Sequence, residues 1–130
     1  MKFATKTIIS IFLLTATIIG IEIYVNRTLK TTSARLEEHI SELENKTRSG
    51  NWHDAEIAMQ QIEKDWDEVE SSWAILIDHF EIDNIDTAIS KLSVYVKSKE
   101  TSLALAEAST LKNYVRHIPQ KESFSVANIL

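Results

Sequence analysis

Two glycines and one proline are spread over 130 residues, which leaves the chain almost nothing with which to make tight turns. Reversals of the backbone lean on Gly, Pro and a few short polar side chains, so few, long helices are expected rather than a sheet with many turns. Between Gly20 and Gly50 no Gly or Pro interrupts the chain at all. The absence of cysteine removes disulfides, thiolate metal sites, acylated-cysteine anchors and cysteine nucleophiles together.

From Ile8 to Val25 the run IISIFLLTATIIGIEIYV carries a single charge, Glu22. Its length is at the lower end of what crosses a hydrocarbon core of about 30 Å. Lys2 and Lys6 precede it, whereas Arg27, Lys30 and Arg35 on the far side are diluted by Glu22, Glu37 and Glu38. That bias favours an amino terminus inside and the remainder outside, with Tyr24 at the outer interface. A cleaved signal peptide is the competing reading, but no Ala-x-Ala pair stands at a suitable site and the apolar run continues past Gly20. Glu22 either snorkels to the headgroups or marks a polar contact with another membrane helix. The expected organisation is a signal anchor over residues 1–25 and an extracytoplasmic helical-bundle domain over 26–130, in a single-pass protein of the cytoplasmic membrane.

The anchor helix is expected to continue outward as one rod to about Thr47, because Leu29, Leu36, Ile40 and Leu43 form a one-sided stripe between acidic residues. Ser49-Gly50-Asn51 then reads as a helix end followed by a cap, with Asp54 at the third position of the next helix. Trp52, Ala55, Met59, Ile62, Trp66, Val69, Trp73, Leu76 and Phe80 follow in alternating steps of three and four, which predicts a second helix over 52–80. A stripe with all three Trp reads as a bundle seam, or else as a ligand-binding aromatic face. A third helix is expected over 84–98, burying Ile85, Ala88, Ile89, Leu92, Tyr95 and Val96, with Asp83 as a cap. After a break near 98–101, a fourth helix carries Leu103, Ala104, Ala108, Leu111, Val115 and Ile118, is stopped by Pro119, and gives way to a short final helix with Phe124, Val126, Ile129 and Leu130. The fold class is all-α, an N-terminal transmembrane helix followed by an antiparallel up-down bundle.

Charge argues against nucleic acid. The longest charge run, Glu63 to Glu70, has five acids against one Lys, whereas phosphate binding needs a clustered basic face. Residues 37–83 hold 14 acids and 3 bases, and residues 84–130 hold 4 acids and 6 bases. An acidic first hairpin is therefore expected to pack beside a mildly basic second one. No enzyme chemistry emerges. Bundle di-metal sites need Glu-x-x-His, but Leu36, Gly50, Leu76 and Tyr114 stand three before the four His. Asp65 and Asp67 open like a calcium loop that Val69 and Glu70 then break. His79 and Asp83 would share a face for a divalent cation only if a helix ran through them, against the expectation of a helix end there.

The stretches Trp73-Ala-Ile-Leu-Ile-Asp-His79-Phe-Glu81-Ile, Ser102-Leu-Ala-Leu-Ala-Glu107, His117-Ile-Pro119 and Asn128-Ile-Leu, with Asn51-Trp52, resemble domain-of-unknown-function family 4363. The resemblance implies a short membrane-anchored helical protein of Firmicutes with no assigned activity or cofactor, and an integral membrane partner of the YetF-like multi-pass kind. The matching positions are Trp73, His79, Glu81, Pro119 and Asn128. Chain direction and helix length are expected to bring His79, Glu81 and Asp83 together with His117, Pro119 and Asn128 near Tyr24, as a structural corner or an interaction face. The expected function is non-enzymatic, an accessory or scaffold subunit docking to an integral membrane protein; the alternative is an extracytoplasmic ligand- or cation-sensing domain.

Overall fold

The structure is a computed structural model that describes residues 2–127, with side chains as far as residue 121. Helix α1 runs unbroken from Lys2 to Arg48, α2 from Trp52 to Leu76, α3 from His79 to Lys97 and α4 from Thr101 to Ala127. No strand occurs among the described residues. α1 packs on α2 and α4, and α3 closes the ring by packing on the same two. The bundle is thus all-α, up-down-up-down around one core.

The rod expected for α1 forms and ends at Arg48. Along its first half Ile8, Phe12, Leu14, Ile18 and Ile23 are all exposed, while Leu29, Leu36, Ile40 and Leu43 further on are buried. The change comes at Val25, the last residue of the apolar run, which already touches the core. Gly50 takes a φ of 72° and ends the helix with paired bonds, Gly50 N–H to Thr47 O at 3.1 Å and Asn51 N–H to Lys46 O at 3.0 Å. This is a Schellman ending. Asn51 then caps α2 by accepting from the Asp54 N–H.

The same paired bonds close α3: Lys99 N–H reaches Val96 O at 3.1 Å and Glu100 N–H reaches Tyr95 O at 2.9 Å. Here the left-handed residue is Lys99, φ 56°, a conformation that costs an L side chain roughly 1–2 kcal/mol. The expected break near residues 98–101 is real, although no glycine marks it.

Several expectations are corrected. α2 stops at Leu76, because Asp78 caps a new helix by accepting from the Phe80 N–H at 3.0 Å; Asp83 is inside α3 and caps nothing. The chain crosses in two residues, Ile77 being extended and buried at the base of the core while Phe80 is exposed. The Trp-rich stripe is otherwise a seam: Ala55, Met59, Ile62, Trp66, Val69 and Trp73 are buried, and Trp52 and Leu76 pack against them. In α4 the buried row is Ala104, Ala108, Leu111, Val115 and Ile118, whereas Leu103 is exposed. α4 also runs through Pro119 to Ala127, so no separate final helix begins there. Ile129 and Leu130 lie outside the described residues.

Charge complementarity is realised between α1 and α4. Arg116 pairs with Glu37 at 3.2 Å and Lys112 with Glu44 at 3.0 Å, joining α4 to α1. Between α2 and α3 acid meets acid. The half-buried Glu70 is pushed above its ordinary carboxylate value by desolvation, then by Asp86 and Asp67. Asp86 is held there by the Trp66 indole, which donates to it at 2.6 Å.

Two predictions follow from this packing. Trp66→Ala removes a side chain that is 3% exposed and should cost about 3–5 kcal/mol, read by denaturant unfolding of the detergent-solubilised chain; an unchanged midpoint would contradict the seam. For Glu70 the folded-state pKa is raised, so its contribution to stability is present below the unfolded value and lost as pH rises through the folded one. Glu70→Gln should accordingly be more stable than the parent at neutral pH, with the difference closing below the ordinary carboxylate range, as melting curves across pH would show.

Candidate functional site

The candidate residues that are described, Trp73, His79, Glu81, Asp83, His117 and Pro119, gather at the end of the bundle from which the apolar half of α1 projects. The helix register places them there. Antiparallel pairing from the Gly50 turn sets Lys46 beside Asp54, His39 and Arg35 beside Asp65, and Thr32 beside Trp73. On the other flank of α1, Glu44 meets Lys112, Glu37 meets Arg116 and Ser33 meets Val115.

Trp73 is fully buried. Its ring meets Trp66 edge-on, with centroids 5.6 Å apart and an interplanar angle of 88°, and its Nε1–H donates to Thr32 Oγ1 at 3.0 Å. It is therefore a core pin between α1 and α2, with no face left for a ligand. Glu81 accepts from Lys121 Nζ at 3.0 Å, which ties the start of α3 to α4. Around this pair runs a shallow groove lined by Phe80, Glu81, Asn84, Tyr114, His117, Ile118 and Lys121. Of the two distant sequence clusters, Glu81 and His117 thus line one groove, whereas His79 and Asp83 are not among its lining residues. Asn128 lies outside the described residues.

His79 and Asp83 are both exposed. Because α3 runs through them, they share one face at i and i+4, contrary to the helix end expected there. Among the described residues, however, no three His, Cys, Asp or Glu side chains converge as a metal site requires.

Pro119 is buried inside α4. Proline has no N–H, so the carbonyl four residues back, that of Val115, loses its helical donor. Ser33 supplies the replacement: its Oγ, on a buried side chain of α1, donates to Val115 O at 2.7 Å. The break expected at Pro119 is repaired from the neighbouring helix. A second groove follows this contact, lined by Lys30, Ser33, Glu37, Arg116, Pro119 and Gln120 among others.

Sequence reasoning passed over Ser33 and weighed Asp65 only as part of a calcium loop, not as a buried partner. Asp65 is buried, accepts from Gln61 Nε2 at 3.1 Å, and pairs with His39 Nδ1. Spacing held the signal for both: Ser33 is four after Leu29 and three before Leu36, and Asp65 is three after Ile62 and four before Val69. A polar residue at such a step lies on the buried face and must find a partner.

The family described as Domain of unknown function (DUF4363) matches residues 23–129. The chain belongs to that family. No curated protein and no solved structure matches it. The DUF4363 match brings no activity with it, so any role must be argued from the groove end itself. What that end offers is a polar rim with carboxylate, ammonium, imidazole and phenol groups.

The Ser33 contact makes a testable claim. Ser33→Ala leaves Val115 O unpaired in a buried place and should cost about 1–3 kcal/mol. Pro119→Ala restores the helical donor, so the same Ser33→Ala change should cost markedly less in that background. Additive losses in the double-mutant cycle would show that the two positions are not coupled.

Proposed function

We propose that this DUF4363 protein is a non-enzymatic accessory subunit, anchored by the apolar half of α1 and docked through the groove end of its bundle to an integral membrane protein. One helix, α1, is long and apolar enough to cross a membrane, and its apolar side chains from Ile8 to Tyr24 are exposed. The observation that carries the reading is the contact of Val25 with the core. Bundle and apolar segment share one helix with no linker between them, so the grooves stand at a fixed level beside the bilayer, within reach of a neighbour in the same membrane. A multi-pass protein of the YetF-like kind fits such a partner. Cation sensing has only the His79–Asp83 pair in its favour.

In this reading the amino terminus is inside and the bundle extracytoplasmic. A reporter phosphatase fused after Leu130 should be active, and activity of a cytoplasm-only reporter at that site would overturn the orientation. Affinity purification of the full chain from its native membrane should bring an integral membrane protein with it. His79→Ala with His117→Ala, both exposed, should release that partner without lowering the melting temperature. A lowered melting temperature with the partner retained would make the groove a structural corner instead.

A further inference from the structure

The geometry points to a second membrane contact besides the helical anchor: the α2–α3 corner, with Ile75 and Phe80 on either side of it, inserts into the headgroup layer of the bilayer that α1 crosses. This rests on the reading of α1 as a membrane anchor.

Ile75 is 84% exposed and Phe80 69% exposed. They flank a corner that is otherwise well built: Ile77 is buried, its N–H bonds to Trp73 O at 2.9 Å, and Asp78 caps α3. Two large apolar side chains pointing outward on both sides of a capped corner do nothing for the bundle itself. Phe80 even continues the three-and-four spacing of the seam, yet the chain turns before it and leaves it outside.

The height of the corner names its occupant. Trp73 is bonded to Thr32, and Thr32 is seven residues beyond Val25, about 10 Å along α1. From Trp73 the chain descends a further four residues to Ile77, about 6 Å. The corner therefore stands about 4 Å above the last residue of the apolar run, within an interfacial layer of roughly 5–7 Å per leaflet. Arg27 and Lys30, on the same stretch of α1, are exposed at this level and suit lipid phosphates. Aromatic and aliphatic side chains at that depth bury apolar surface that water would otherwise hydrate. A lipid surface, rather than a second protein, is the partner that the continuous helix already brings to this height.

The chain has no cysteine, so single-cysteine variants report one position each. The test uses the full chain in phosphatidylcholine–phosphatidylglycerol vesicles, with an environment-sensitive nitrobenzoxadiazole label at Ile75→Cys, Phe80→Cys, Phe12→Cys or Ile57→Cys. Phe12 lies in the apolar run, whereas Ile57, exposed on the second turn of α2, is at the other end of the bundle. Labels at 75 and 80 should show blue-shifted emission and lose intensity to a nitroxide carried at the headgroup. The label at 12 should be quenched by a nitroxide deep in the acyl chain, and the label at 57 by neither. If 12 is quenched while 75 and 80 behave like 57, the corner does not touch lipid and the inference falls, with the anchor intact. If 12 is not quenched, the anchor reading itself fails. If unlabelled Ile75→Cys or Phe80→Cys forms disulfide-linked dimers and the labelled forms escape lipid quenching, the corner meets a second copy of the chain, which also overturns the proposal.

Discussion

Everything about this molecule depends on α1 being one helix. Its 47 residues span about 70 Å, and the exposed apolar half passes directly into the buried half at Val25. Gly20 adds no hinge: it is helical, with nothing within 4 Å of the place where a side chain would stand. A helix joined this way transmits position. Whatever surrounds the first half fixes the height and the axis of everything packed on the second.

Apolar stripes spaced by threes and fours hold helices together without fixing how far they slide along one another, since a shift by one repeat puts similar side chains in similar holes. Here the register is set by polar contacts that have one solution. Thr32 accepts from Trp73, Asp65 pairs with His39, Ser33 donates to Val115, and Lys112 reaches the buried Glu44. Each would leave a buried polar group unpaired if α2 or α4 slid by a turn, and an orphaned group costs more than the bond itself adds. Their role is to select one arrangement, and that arrangement brings the start of α3 and the second half of α4 to the same end as Val25.

Much of this was legible in the sequence because the chain has so few breakers. The extent of α1, the Gly50 turn, the Asn51 cap and the buried row from Ala55 to Trp73 follow from spacing and turn chemistry alone. What misled were signals that periodicity cannot carry. Phe80 extends the seam by one more step, but Asp78 with Glu81 three residues on has the spacing of a capping box, and the local cap won over the long-range pattern. The turn at Lys99 was weakly marked because a lysine does there what a glycine usually does. The end of α4 was misplaced because the donor that replaces the missing N–H of Pro119 comes from Ser33, 82 positions before the Val115 carbonyl that it serves, and no local rule can see it.

That replacement has a consequence for the site as well as for the helix. From Pro119 to Ala127 α4 continues for eight residues, about 12 Å. Had the helix stopped at Pro119, Lys121 would not be presented to Glu81 from a helical frame, and the groove between α3 and α4 would lose its lower wall. The proline itself is buried against α1 rather than placed in a turn. It therefore links the two halves of the design: a position that should end α4 is turned by Ser33 into one where α4 is bonded to α1, the helix that also carries the apolar segment.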